Sequence, residues 1–114
     1  MGNTITIKRG DTLLIDGVYR QSTGDPMNLE GYTLECNIIN SSDRSVITVV
    51  TGISTTSRVL TITEPTAGKF TLVVKDTDIL RDEDYFVDFK ATAISSNYEQ
   101  TSKAIRLKVK AKLV

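Results

Sequence analysis

The sequence predicts an all-β protein, an antiparallel β-sandwich of seven to eight short strands with one short helical turn. Sixteen Thr, eleven Ile and ten Val residues occur among 114, and these β-branched side chains fit a pleated sheet better than a helix. Alanine, the best helix former, occurs only five times. Short segments of alternating apolar and polar residues are separated by turn residues, and connections of this length favour antiparallel pairing.

Two strands are predicted before the first long loop. Residues 4–8 alternate Thr and Ile and end in Lys. Arg9-Gly10-Asp11 interrupts the alternation and is interpreted as a turn between strands rather than as an integrin-type tripeptide. The alternation resumes over residues 12–19, where Gly17 is a candidate β-bulge. Residues 22–28 are rich in Ser, Thr, Gly, Asp, Pro and Asn, which is typical of a loop.

Three further strands are predicted over residues 33–39, 45–51 and 58–63. Cys36 lies among the apolar positions of the first of these and is the only cysteine in the chain, which excludes an internal disulfide. No cationic neighbour is present in the sequence to lower its pKa. We therefore expect Cys36 to be a buried, unreactive thiol.

A turn and a helical segment mark the middle of the chain. Residues 64–68 contain Pro followed three positions later by Gly, a strong turn signal, and residues 69–75 form the next predicted strand. Residues 76–82 break the alternation. We expect a single helical turn there, with Asp76 or Thr77 as its N-cap.

The last two strands carry the clearest alternation. One begins at Asp84 and continues to Ala93, and Ser95-Ser96-Asn97 forms the following hairpin turn. The final strand is predicted over residues 99–113. Its two faces separate apolar from basic residues, with Ile105, Leu107, Val109, Ala111 and Leu113 on one side and Arg106, Lys108, Lys110 and Lys112 on the other.

Composition excludes several classes of function. The chain contains no histidine, which rules out Ser-His-Asp and Cys-His catalysis and His-ligated metals. Fourteen basic residues balance fourteen acidic ones, whereas a general nucleic-acid-binding protein has a basic excess. No segment resembles a signal peptide or is long enough to cross a bilayer. We expect one domain over residues 1–114, no enzymatic activity, no cofactor, and a location inside cells or in a particle assembled there.

Acidic residues cluster around the predicted helical turn: Asp76, Asp78, Asp82, Glu83 and Asp84. Carboxylates that converge from one loop can bind Ca²⁺, which takes six to eight oxygen ligands. The spacing lacks the glycine and the closing glutamate of an EF-hand loop, and nothing places two carboxylates across a cleft for acid–base chemistry. Solvated carboxylates near a short helical turn are therefore the favoured interpretation.

A basic stripe is the second candidate site: Lys103, Arg106, Lys108, Lys110 and Lys112, with no acidic residue between positions 103 and 112. The favoured interpretation is the outward face of an edge strand, where lysines prevent unwanted strand pairing. The alternative is a contact surface for an acidic partner, either protein or nucleic acid. A further hypothesis is that the acidic cluster of one copy faces the basic stripe of the next, which would build a ring by salt-sensitive head-to-tail contacts.

Several short motifs together resemble one family. Ile5 to Thr12 is similar to the opening of small immunoglobulin-like proteins of tailed bacteriophages, including the N-terminal domain of baseplate upper proteins. The segment from Gly24 to Thr33 resembles the family's Gly-x-Pro passage ending in Gly-Tyr-Thr. The segments Gly68 to Leu72, Asp76 to Leu80 and Tyr85 to Phe89 resemble its later strands and short helical turn. Two segments depart from the pattern, at 82–84 and at 45–57.

The resemblance implies an immunoglobulin-like sandwich that acts as a structural protein of a tailed-phage virion. The implied role is a protein–protein attachment module of the tail, baseplate or neck, in contact with other virion structural proteins and present as a homo-oligomer or in repeated copies. Decoration of the head is the alternative within this class. A receptor- or carbohydrate-binding module is a second class, which the absence of Trp disfavours. No nucleic acid and no membrane is expected as a partner.

Overall fold

The computed structural model describes residues 4–21, 23–52, 57–81, 83–102 and 104–110, with Asp78 described by its backbone alone. Two single turns of 3₁₀-helix lie at Pro65–Ala67 and Thr77–Ile79, and neither has the length or the hydropathy to cross a membrane. The strands of the described residues are β1 (Thr4–Lys8), β2 (Leu13–Val18), β3 (Tyr32–Asn40), β4 (Val46–Val50), β5 (Arg58–Glu64), β6 (Lys69–Val74), β7 (Asp84–Ala93), β8 (Glu99–Thr101) and β9 (Ile105–Lys110).

The strands form two sheets, as the all-β sandwich prediction requires. The larger sheet has the order β1-β9-β7-β3-β4, with β8 also paired to β7, and the smaller has the order β2-β6-β5. Every pairing between these strands is antiparallel except that of β1 with β9, which is parallel. The immunoglobulin-like sandwich expected from the resemblance is therefore confirmed.

The predicted final strand is interrupted, which raises the strand count in the described residues above the seven to eight expected. The register shifts by one residue between the pairs Lys90–Thr101 and Val87–Ile105, because the strand opposite β7 has one extra residue there. At this shift the backbone N–H of Ser102 donates to the carbonyl of Phe89 at 2.8 Å. The Ser102 hydroxyl in turn accepts the Phe89 N–H at 3.0 Å, where a regular ladder would use a carbonyl. A side chain thus replaces one backbone partner, and the strand divides into β8 and β9.

The core lies between the sheets and is built from alternate residues of each strand. In β7, every second residue from Tyr85 to Ala93 is buried, as the sequence predicts. Cys36 is fully buried in β3, and burial raises the pKa of its thiol to about 12. The prediction that Cys36 is buried is confirmed.

Gly17 is not a β-bulge. It pairs in regular register with Phe70 of β6, and a Cβ atom at Gly17 would lie 2.7 Å from the Phe70 ring. The same ring packs against Phe89 of the opposite sheet, with 4.5 Å between ring centroids. Gly17 is therefore required because an aromatic side chain occupies the space above its backbone.

Asp76 occupies the N-cap position of the second 3₁₀ turn, as predicted, but no side chain makes a capping hydrogen bond there, because both candidate residues bind elsewhere. The hydroxyl of Thr77, which is fully buried, donates to the carbonyl of Asp11 and accepts the N–H of Gly10 at 3.0 Å. Asp76 accepts hydrogen bonds from the guanidinium of Arg58, the closest at 2.9 Å. Thr77 therefore fastens the turn at residues 9–11 to the connection between β6 and β7.

Residues on either side of the predicted loop at 22–28 form backbone hydrogen bonds with the first 3₁₀ turn and its C-cap residue, Gly68. The N–H of Tyr19 donates to the carbonyl of Gly68 at 2.7 Å, and the N–H of Leu29 donates to the carbonyl of Pro65 at 2.7 Å. Gly68 has a φ of 69°, and a Cβ there would lie 2.6 Å from the carbonyl oxygen of Met27. Only glycine fits this close backbone approach.

Tyr85 closes the approach to β7 in the manner of an immunoglobulin tyrosine corner. Its hydroxyl accepts the backbone N–H of Arg81 at 3.0 Å, four residues upstream. The ring is buried in the core. This contact fixes the direction in which the chain enters β7 and, with it, the outward face of the larger sheet.

Candidate protein-contact face

The basic stripe lies on an interior strand of the larger sheet. Arg106, Lys108 and Lys110 point away from the core on β9, and β9 is flanked by β1 on one side and β7 on the other. The favoured interpretation, that these cations protect a sheet edge, is therefore wrong for this part of the stripe. Lys103 and Lys112 lie outside the described residues.

Lys8 joins the stripe through the parallel pairing of β1 with β9. The register places Thr6 beside Lys108 and Lys8 directly beside Lys110. Like charges directly opposite each other on neighbouring strands destabilise a sheet. We name the exposed set Lys8, Arg106, Lys108 and Lys110 the cationic corner.

No carboxylate within the described residues forms an ion pair with the cationic corner. Asp84 at the start of β7 is the nearest acidic residue in register, opposite Lys108, and it is exposed. Asp11 is a second acidic neighbour, because its Oδ2 accepts the backbone N–H of Lys8 at 3.3 Å. Two acidic neighbours against four cations still leave this end of the sheet with a local positive charge. Its field favours an anionic partner.

An apolar row continues from the cationic corner across the same outward face. Arg106 is opposite Phe86, Phe86 is opposite Ile39, and Ile39 is opposite Val46 on the neighbouring strands. Phe86 and Ile39 are half-buried, and Val46 is 51% exposed although its partner positions are apolar. The row therefore presents an apolar surface to the solvent, next to an arginine.

The opposite end of the face is acidic but internally compensated. Lys90 lies between Glu35 and Glu99, with its Nζ atom 3.6 Å and 3.2 Å from their carboxylate oxygens. The hydrogen bond to Glu99 and the charge of Glu35 raise the pKa of Lys90. Asp88 accepts a hydrogen bond from the side-chain amide of Asn37 at 3.2 Å. These carboxylates already have partners within the molecule.

The predicted acidic cluster is divided among separate contacts. Asp76 pairs with Arg58 on the smaller sheet, and Glu83 accepts a hydrogen bond from the amide of Asn40 at 2.7 Å. The side chain of Asp78 and the whole of Asp82 lie outside the described residues. Across the ranges that the structure describes, no group of three or more Asp, Glu, Cys or His side chains is arranged to hold a metal ion.

The acidic and basic candidates lie close together in one molecule, which disfavours the head-to-tail hypothesis. The backbone N–H of Val109 donates to the carbonyl of Glu83 at 3.2 Å, and Asp84 is beside Lys108. A ring of head-to-tail contacts needs the two charged surfaces to be separate from each other on the molecule. The described carboxylates instead adjoin the stripe itself.

Two features of the face are not evident from the sequence alone. Lys8 is about a hundred residues from Lys110, and only the parallel pairing brings them together. The apolar row draws one residue from each of three strands, so that no single strand signals it. Phe86, Ile39 and Val46 occupy outward positions of their strands, and apolar residues at outward positions are a signal that could have found the row.

Asn40 illustrates a polar residue whose role the structure reveals. Asn40-Ser41-Ser42 has the form of a glycosylation sequon, yet the Asn40 side chain is 1% exposed. Its oxygen accepts the backbone N–H groups of Ser42 and Asp43 at 2.8 and 3.0 Å. The amide therefore builds the turn between β3 and β4 and is fully engaged there.

Comparison with known proteins supports the fold. No protein-family model matches the sequence, and no curated protein matches it significantly. The N-terminal domain of phage TP901-1 ORF48 matches with a TM-score of 0.59 and 15% identity, covering 96% of this chain and 89% of that one. A chain of the ZIG-8–RIG-5 IG1–IG1 heterodimer matches with a TM-score of 0.50 and 12% identity, covering 96% and 82%. The chain thus has an immunoglobulin-like fold, similar to that of a phage protein domain.

Proposed function

We propose that this chain is a structural protein of a tailed-phage virion and serves as a protein–protein attachment module of the tail, baseplate or neck. The likeness to the phage TP901-1 domain supports this proposal, because it extends over nearly the full length of both chains. The motifs from Gly24 to Thr33 and from Tyr85 to Phe89 support it independently, since they were identified from sequence. Its location would be the virion.

The observation that carries the attachment role is the cationic corner beside the apolar row. Lys8 lies beside Lys110, and no carboxylate in the described ranges forms an ion pair with either, so this like-charged pair does not stabilise the fold. Arginine and aromatic residues that lie together on an exposed face are typical of energetically important contact positions. Arg106 and Phe86 have this arrangement. The face is therefore suited to bind another protein.

Quantitative peptide mass spectrometry of purified virus particles tests the proposal, with heads and tails analysed separately. A low copy number in the tail fraction, as one ring would give, is the expected result. A high copy number that matches the shell lattice, found in the head fraction, would instead make the protein a head decoration. Absence from both fractions would overturn the structural role.

A further inference from the structure

The cationic corner places positive charges side by side on neighbouring strands, where they repel each other and do not stabilise the sheet. Lys8 and Lys110 are direct neighbours in the parallel pairing of β1 with β9. Lys108 lies on the same face of β9, two residues before Lys110. All three are exposed, and no described carboxylate pairs with them. Elsewhere on this face, opposite charges lie next to each other, as Lys90 does with Glu35 and Glu99. An external anion would relieve this repulsion.

The free edge of β1 is not the surface that this anion meets. At its Lys8 end the backbone is already engaged, because the Lys8 N–H donates to Oδ2 of Asp11 at 3.3 Å and the Lys8 carbonyl accepts the Asp11 N–H at 2.9 Å. A strand added to this edge could therefore hydrogen-bond only to the backbone near Thr4 and Thr6. The side chains of the cationic corner point outward from the sheet, so the partner lies on the face.

A second copy of this chain does not supply the missing carboxylates on the same face. Glu35 and Glu99 are held by Lys90, and Asp88 accepts from the Asn37 amide. In a symmetric contact through this face, Asp84 would bring one carboxylate to the four cations of the other copy, so most of the positive charge would stay uncompensated. The charge pattern accordingly fits an acidic surface on a different protein.

The apolar row favours a protein over a nucleic acid as the anionic partner. Phe86, Ile39 and Val46 extend the face away from the cations over the width of three strands, and a phosphate backbone has nothing to bury there. The five strands of the face lie about 4.8 Å apart, and β7 is about 33 Å long. A face of this size approaches the ~800 Å² that each partner buries in a stable complex.

We infer that the outward face of the larger sheet docks an acidic, apolar-centred surface of a different virion protein. The carboxylates of that partner lie over Lys8, Lys108, Lys110 and Arg106, and an apolar side chain lies over Phe86, Ile39 and Val46. Because neighbouring outward residues on β9 are about 6.6 Å apart, the partner's carboxylates are spaced similarly. This inference deepens the proposed function and depends on it.

Zero-length carbodiimide cross-linking of purified virus particles tests the contact, since this reagent joins a lysine amine only to a carboxylate that touches it. The expected products join Lys8, Lys108 or Lys110 to Asp or Glu residues of another virion protein. Lys90 joined to Glu35 or Glu99 within the chain is the internal positive control. Lys75, which is exposed and follows β6 on the other sheet, is the negative control.

The outcomes separate this inference from the proposed function. Absence of the chain from the particles overturns both. Presence of the chain with cross-links from the cationic corner only to Asp84, or only to a second copy, overturns the inference alone. So does retention of a 30-base-pair DNA duplex on the purified protein at low salt that is abolished by Lys108→Glu, because the anionic partner would then be nucleic acid.

Charge reversal provides a second, functional readout. In particles assembled with Lys108→Glu, we expect the number of copies per particle to fall at least tenfold, whereas Lys75→Glu leaves it unchanged. Reversal of the cross-linked carboxylate of the partner to Lys should restore incorporation of the Lys108→Glu variant. Normal incorporation of Lys108→Glu, or failure of the partner reversal to rescue a well-folded variant, would overturn the docking inference.

Discussion

The buried thiol of Cys36 makes the free energy of unfolding of this protein depend on pH in the alkaline range. The pKa of the thiol is raised to about 12, chiefly by burial and to a smaller extent by the negative charges of Asp88 and Glu35. An unfolded thiol ionises near pH 9, whereas the folded one stays protonated to about pH 12. The folded state is therefore favoured fully below pH 9, and that advantage is lost as the pH rises toward 12.

The expected result is a difference in slope between the native protein and Cys36→Ala. From pH 9 to pH 10, the free energy of unfolding of the native protein should fall by about 1 kcal/mol more than that of Cys36→Ala. Urea denaturation under reducing conditions measures both curves. Parallel curves over this pH range would mean that the thiol ionises as easily in the folded protein as in the unfolded one.

Gly17→Ala should destabilise the protein by about 1–3 kcal/mol, because the new methyl group meets the Phe70 ring in a packed core. The built Cβ lies 2.7 Å from Cζ of that ring. The double variant Gly17→Ala with Phe70→Leu should cost less than the sum of the two single changes. Chemical denaturation of the four proteins gives this coupling, and strict additivity would contradict the steric explanation.

At the level of elements, Thr77 joins two turns that are distant in sequence. Thr77→Val keeps the shape of the side chain but leaves the Asp11 carbonyl and the Gly10 N–H without this partner. We expect a loss of about 1–3 kcal/mol in the free energy of unfolding and faster exchange of the Gly10 amide. Thr77→Ser, which retains the hydroxyl, is the matched control and should lose clearly less.

Strand positions were predictable because alternation encodes burial directly. The inward residues of β7 and β9, such as Val87 and Leu107, were identified from period two alone. The break after β8 was not predictable, because it depends on one extra residue in the strand opposite β7, where the hydroxyl of Ser102 replaces a backbone group. Thr77 was likewise assigned as a helix cap because its sequence neighbours suit capping, while its actual partners lie more than sixty residues away.

The candidate site was predictable in part. The outward direction of Arg106, Lys108 and Lys110 follows from alternation on a single strand. Alternation does not show which strand lies beside β9, because it gives the face on which a residue lies but not the neighbour of its strand. The contribution of Lys8 and the position of the stripe inside the sheet therefore required the structure.

At the scale of the whole molecule, the like charges of the docking face should lower the free energy of unfolding. Lys110→Glu converts the like-charged neighbour of Lys8 into an oppositely charged one. We expect the free energy of unfolding to rise by about 0.2–1 kcal/mol at low ionic strength, and the gain to shrink in high salt. Thermal or urea denaturation measures the change.

The control for this prediction is Lys75→Glu, an exposed change remote from the cationic corner, which should alter stability by less than about 0.5 kcal/mol. A Lys110→Glu variant that is less stable than the native protein at low salt would show that Lys8 and Lys110 do not repel each other. A variant that is more stable yet poorly incorporated into particles would show that the repulsion is retained for binding.

The parallel pairing of β1 with β9 also governs the timing of folding during synthesis. Ile5 and Ile7 leave the ribosome early, but their pairing partners are made about a hundred residues later, which takes roughly 5–20 s. Throughout that interval β1 is an unpaired strand with an apolar face, the kind of segment that nucleates aggregation. Lys8 adds a charge to this strand from the start, so the residue that we place in the docking face also protects the nascent chain before that face exists.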